Sequence, residues 1–373
     1  MKITDVTTLA VGMPLAEPLR WGAMWTHTRG AVLVQVHTDE GVTGLGEAGF
    51  SVAFYDRIKP VIDGTLKPLL MGQSPLDIGA LWQRMYEATH TWGRRGMETY
   101  ALSGVDIALW DLLGKLTGQP VFRLLGACRT QIPAYWAPSL KPADVAARES
   151  QEATSRGFTA IKLRAGLGLE EDVRIVQAAR KAAGDSVVLT VDPNMAYDLP
   201  TAITMARRFQ EYGIRWIEEP ILCRSLTQYL DLHARLAATV DVPVSGGESL
   251  FTRYEFAEVF PRKAFAIVQP DATGVGGISE CHRVAVMASA WNVPCVPHIA
   301  CSSVAGVGLA ANLHVICSID NALYVEYDAY DSPIRQELFV EPIVAVNGVV
   351  TVPDRPGLGL ELDPVAVARY RMG

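Results

Sequence analysis

Eight residues in this sequence have the types and spacing that chemistry requires. Asp192, Glu218 and Glu248 lie 26 and 30 residues apart, each closing a short apolar run. Any one of them alone reads as a solvated loop acid or a helix N-cap. Three at the ends of consecutive strands are another matter, because neighbouring strands lie about 4.8 Å apart and the carboxylates would crowd one spot. Like charges crowded at low dielectric need a cation, and an all-oxygen set without Cys or His suits Mg²⁺. The next two strand ends are Asp271 and His298. A carboxylate on one imidazole nitrogen fixes the tautomer and makes the other nitrogen the better base. Across the mouth, Lys162 and Arg164 point the same way by period-two alternation. Two cations there need anionic partners, either the carboxylates themselves in an internal salt bridge or a bound substrate carboxylate. Glu326 completes the ring and, if protonated, could hydrogen-bond to that carboxylate.

Other candidates carry less. His27, His37, His90, His233 and His282 have no comparable setting, and His314 lies on a helical stretch and reads as structural. Gly274-Val275-Gly276-Gly277 lacks both the Lys-Ser/Thr ending and the Gly-x-Gly-x-x-Gly spacing of phosphate loops and reads as a tight turn. Trp21 and Trp25, with Arg94 and Arg95, fit either a lid or ordinary packing; Trp25 is the one placed against substrate.

These side chains need a scaffold that brings strand ends together. From residue 130 onward, apolar strands end near Tyr135, Lys162, Asp192, Glu218, Glu248, Asp271, His298 and Glu326, with separations from Lys162 of 30, 26, 30, 23, 27 and 28 residues. Helix-like segments fill the gaps. This rhythm predicts a (β/α)₈-type TIM barrel, a fold that gathers its chemistry at the C-terminal strand ends. Before it, strand alternation through Ala48 and helical periodicity over about Pro75 to Thr89 and Glu98 to Leu116 predict an α+β capping domain, with Leu102, Val105, Leu109 and Leu112 on one stripe. After Glu326 the helical alternation is lost, and Ile343 to Val352 reads as a hairpin about Asn347-Gly348. The expected units are 1–125 for the cap, 126–330 for the α/β barrel, and 331–373 for a tail that packs back on the cap.

Composition excludes several roles. Of the 373 residues 49% are apolar and 20% charged, which is globular, and the net charge of −7 disfavours nucleic acid and anionic membranes. No run of 18 apolar residues spans a bilayer. The six cysteines form no Cys-x-x-Cys pair and read as reduced, buried thiols in a cytoplasmic protein.

Taken together, the chain resembles the enolase superfamily, in its mandelate racemase subgroup with the acid-sugar dehydratases. The resemblance rests on Ala101-Leu102-Ser103-Gly104-Val105-Asp106-Ile107-Ala108-Leu109-Trp110-Asp111, on Trp216-Ile217-Glu218-Glu219-Pro220 and on Gly246-Gly247-Glu248. The tail, Asn347-Gly348-Val349-Val350-Thr351 and Gly357-Leu358-Gly359, is also similar to galactarolactone cycloisomerase. The resemblance implies Asp192, Glu218 and Glu248 as Mg²⁺ ligands, Asn194 as a substrate-side neighbour, Asp271 with His298 as the catalytic dyad, and a homo-oligomer, dimer or octamer. It departs at Arg164, where the family usually has the second Lys of Lys-x-Lys; a guanidinium is a poor base and a good carboxylate clamp. The expected reaction is dehydration of an acid sugar to a 2-keto-3-deoxy acid: His298 removes the α-proton, Lys162 and Arg164 hold the carboxylate, and Glu326 polarises it. The rivals are a lactone cycloisomerase, an epimerase or racemase using Lys162, and a non-catalytic acid-sugar sensor.

Overall fold

The computed structural model describes residues 1–21, 24–299, 306–330 and 332–372. β1 (Ile3–Trp21), β2 (Met24–Thr38) and β3 (Thr43–Glu47) form an antiparallel sheet in that order. Its inner face, with Val6, Val32, Val34 and Val36, packs on the helix Met97–Thr117 through Leu102, Val105, Leu109 and Leu112, the predicted stripe. The sheet lies directly on helix backbone: a Cβ at Gly46 would run into the Gly104 carbonyl. A second helix, Ile78–Gly93, flanks it. The segment from Tyr55 to Leu70, which the sequence pattern left unassigned, is helical too, widened over Ile62–Leu66 into π-type turns.

β4 (Gln131–Ala137), β5 (Ala160–Arg164), β6 (Val188–Asp192), β7 (Ile214–Glu218), β8 (Val244–Gly246) and β9 (Ile267–Val268) follow one another as parallel neighbours. β10 (Val325–Asp328) pairs parallel with β4 and closes the ring. The seventh position has shrunk to bridges, Val268 to Cys295 and Cys295 to Ala322, so the expected strand ending at His298 contributes little ladder. The predicted barrel is present, with Tyr135, Trp216, Ile267 and Val296 packed together in its interior.

The tail carries two short helices, Pro333–Glu337 and Pro364–Tyr370, where no helical alternation was expected; elements this short cannot show a period. Between them β11 (Ala345–Val346) and β12 (Val349–Thr351) form the hairpin, with positive φ at Asn347 (49°) and Gly348 (71°) as a type I′ turn requires. β12 adds antiparallel to β4. Farther on, Leu358 N donates to Asp111 Oδ1 at 2.8 Å and Met372 N to the Ala10 carbonyl at 2.9 Å.

The glycine run is a turn, as expected. Gly277 has φ of 90° and abuts the Asp106 carboxylate, which accepts from Ser279 N at 2.9 Å, while Gly276 N donates to Ser103 Oγ at 2.9 Å. The run therefore docks barrel on cap. The cysteine expectation needs correcting: the described ones are free thiols, but Cys128 is exposed and Cys223 half-buried. Among the described residues no helix is long and apolar enough to cross a membrane.

Candidate active site

Period-two alternation puts Lys162, Arg164, Asp192, Glu218 and Glu326 inside the barrel. Lys162 is fully buried, with Nζ 2.6 Å from Glu218, 3.0 Å from Glu326 and 3.2 Å from Asp192. Arg164 bonds to Asp192 and reaches to 3.8 Å from Glu326. The expectation that three carboxylates meet directly is corrected here. Lys162 stands between Asp192 and Glu218, while Glu248 faces His298, because buried anions are costly without counter-charge. The internal salt bridge set out as one alternative is thus the observed arrangement. Among the described residues no three His, Cys, Asp or Glu form a ready-made metal cluster.

Asp271 and His298 do come together, with Nδ1 3.0 Å from Asp271 Oδ2. The other carboxylate oxygen, Oδ1, accepts from Thr273 N and Thr273 Oγ1 at 2.9 Å and from Asn312 Nδ2 at 3.1 Å. Asp271 is therefore oriented from behind. His298 Nε2 is not turned to open space; it lies 3.0 Å from Glu248 Oε2, off the line of a hydrogen bond. Burial would push the imidazole down, but Glu248, Asp271 and Glu326 outweigh it and hold it up at about 10. Burial likewise works against the Glu326 anion, yet Lys162, His298 and Arg164 prevail and lower it to about 2, which favours the carboxylate over the protonated form considered from the sequence.

The remaining predicted residues lie farther from this network. Asn194 sits in a left-handed turn (φ 47°) and its backbone N–H, at 2.7 Å, caps Asp192 Oδ1. Trp25 is on β2 and 59% exposed, so its place over substrate is not apparent from packing, and residues 22–23 beside it lie outside the described set, as does the Trp21 side chain. Arg95 joins cap to barrel through the Ser249 carbonyl at 3.0 Å and Glu255 at 3.3 Å. His314 is structural, accepting from Phe122 N at 3.1 Å.

Sequence reasoning missed four contributors. Phe50 of the cap meets the His298 ring edge-on at 5.7 Å, and Gln269 donates to Glu218 Oε2 at 2.9 Å. Asn312 supports Asp271, and buried Arg29 of β2 bonds to Asp328 at the end of β10. Gln269 was findable, two residues before Asp271 just past the end of β9.

The donor set fits a divalent cation. Asp192, Glu218, Glu248, Asp271 and Glu326 face Lys162, Arg164 and His298 in one network, so acids outnumber bases five to three. Glu248 Oε2 is buried and accepts no hydrogen bond. Burial, together with the neighbouring carboxylates, pushes both Glu218 and Glu248 up to about 7. The next acid, Glu219, turns away to Tyr229, Gly247 N and Ser249.

Comparison with known proteins gives the family. Residues 3–126 match the family described as mandelate racemase / muconate lactonizing enzyme, N-terminal domain, and residues 145–366 match enolase C-terminal domain-like. Arabinonate dehydratase of Saccharolobus solfataricus is 36% identical over 92% of this chain and 91% of its own. D-galactarolactone cycloisomerase of Agrobacterium fabrum is also 36% identical, over 100% and 99%. A racemase of Streptomyces coelicolor A3(2), solved with bound magnesium, superimposes with a TM-score of 0.88 at 30% identity over 99% of this chain and 100% of that one. The chain is an enzyme of the enolase superfamily and belongs to its mandelate racemase subgroup.

Proposed function

We propose that this enzyme dehydrates an acid sugar to a 2-keto-3-deoxy acid. The observation that carries the reading is the Asp271–His298 pair in the same barrel mouth as two buried cations, Lys162 and Arg164. Arg164 and Lys162 bind the substrate carboxylate and draw charge from it as the α-carbon is deprotonated. Glu248, the charge that does most to hold His298 up, would be engaged by a bound cation, which leaves His298 Nε2, steered by Asp271 on Nδ1, able to take the α-proton as the C–H bond breaks. The imidazolium then returns a proton to the β-hydroxyl as its C–O bond breaks, and water leaves. The enol product tautomerises to the 2-keto acid. Asp192, Glu218 and Glu248 would hold one Mg²⁺ per site, and when bound it would supply positive charge where the substrate carboxylate gains negative charge, the pattern general to this superfamily.

A second reading, an isomerase, is supported by the full-length similarity to the Agrobacterium cycloisomerase. Against a two-base epimerase stands Arg164, which does not give up its proton. A panel of sugar mono- and diacids and their lactones, incubated with Mg²⁺ in D₂O, separates these readings. Dehydration gives a semicarbazide-reactive keto acid. Ring opening of a lactone or inversion at carbon without keto product would overturn it in favour of the isomerase, and binding without α-deuterium uptake would overturn both.

A further inference from the structure

One buried carboxylate beside the mouth has no role in the steps above. Glu219, 1% exposed, follows Glu218 with a φ of 34°, a left-handed conformation that residues with side chains rarely adopt and that persists only where the surroundings hold it. Its partners show what holds it. Glu219 N donates to the Ser245 carbonyl at 3.0 Å and extends the ladder between β7 and β8, while its own carbonyl accepts from Met195 N at 2.8 Å, in the turn that follows Asp192. The side chain reaches the segment that carries Glu248. Oε1 accepts from Gly247 N at 2.9 Å and from the hydroxyl of Tyr229, on the helix Leu226–Ala237, and Oε2 accepts from Ser249 Oγ at 3.1 Å. The glycines of Gly246-Gly247-Glu248 fit this contact. A Cβ at Gly246 would stand 3.0 Å from Glu219 Cγ and 2.7 Å from the Phe265 ring, and Gly247 offers its N–H from a φ of 127° that other residues rarely adopt.

A single residue thus ties the backbone on both sides of Glu248 to the end of β7, and ties the turn after Asp192 to the same place. Asp192, Glu218 and Glu248 stand on those three segments. We propose that Glu219 is a positioning residue for the metal site. With three donors on its two oxygens it is a tie and not a ligand, and it sets the spacing of the backbone from which the three acids project. This role rests on those acids being the Mg²⁺ ligands.

The test is calorimetric titration of the full chain with Mg²⁺ after metal has been removed with EDTA. Glu219→Gln keeps the ties: the amide oxygen takes the place of Oε1 before Gly247 N and Tyr229, and the NH₂ meets Ser249 Oγ, which can turn to accept. Glu219→Met removes all three. Losing a residue that orients metal ligands costs about 10–100-fold in affinity, so Glu219→Met should fall in that range while Glu219→Gln stays within about three-fold of wild type. Tyr229→Phe combined with Ser249→Ala leaves the carboxylate in place but takes away two of its donors, and should weaken Mg²⁺ by about ten-fold with the circular dichroism of the wild type. Glu219→Gln binding as weakly as Glu219→Met would show that the charge itself, or direct ligation, is what the metal needs, and would overturn the proposal. Wild-type affinity in Glu219→Met or in the Tyr229→Phe, Ser249→Ala protein would overturn it too. A wild type that takes up no Mg²⁺ would instead strike down the ligand assignment, and this role with it.

Discussion

Asp271→Asn is the sharpest probe of the proton-handling pair, because the structure dictates which way the new amide faces. Oδ1 receives three donors, from Thr273 N, Thr273 Oγ1 and Asn312 Nδ2, and Asn312 is itself locked by Ala272 N on its Oδ1 at 2.9 Å. An amide NH₂ turned toward them would leave the two N–H donors, Thr273 N and Asn312 Nδ2, without an acceptor, at a cost of roughly 2 kcal/mol or more, since only the Thr273 hydroxyl can turn to accept. The asparagine oxygen must take that position, and its NH₂ must face His298 Nδ1. An NH₂ there can only donate, so the imidazole carries its proton on Nε2, the nitrogen proposed to accept from substrate. A wrong tautomer with intact geometry lowers turnover by on the order of 10³–10⁴. The assay is α-proton exchange in D₂O together with steady-state turnover, with circular dichroism as the check on folding. A folded Asp271→Asn protein exchanging within ten-fold of wild type would refute the reasoning.

Two further outcomes follow from buried charge. Arg29, 1% exposed, pairs across the domain seam with Asp328 and stacks on Tyr330 at 4.6 Å; Arg29→Met should cost about 3–5 kcal/mol, and adding Asp328→Asn should recover much of it in urea unfolding. A loss under about 1 kcal/mol would show that the pair does not join the domains. His233 is pushed down to about 4 by burial, so between pH 6.5 and 4 the unfolded chain binds a proton that the folded one does not, and stability falls as pH falls. His233→Phe should remove about 2–3 kcal/mol of the stability difference between pH 7.5 and 4.5, and an unchanged difference would count against it.

The barrel was legible because each strand announces itself twice, by an apolar run and by the polar residue that ends it. Asp192 and Glu218 end their strands, while Lys162 and Glu326 lie within theirs, all on the inner face that period-two alternation gives. The helical stretch from Tyr55 was hidden by Pro60, Gly64 and Pro68, although Ile58, Ile62, Leu66 and Leu70, all buried, recur every four residues. Asn312 left a trace as a lone amide within the apolar, wholly buried helix Val307–Ser318. Arg29 and Phe50 left none, since their partners are far away in the chain and only the docking of cap on barrel brings them near. The charge balance at the mouth was legible only in kind: alternation says that Lys162 points inward, but not that it stands between Asp192 and Glu218.

The donors that grip Asp271 come from its own turn and from the helix after the seventh strand position, and both Thr273 and Asn312 are wholly buried. Substitutions at the exposed rim of the barrel can therefore leave the setting of the proposed base untouched.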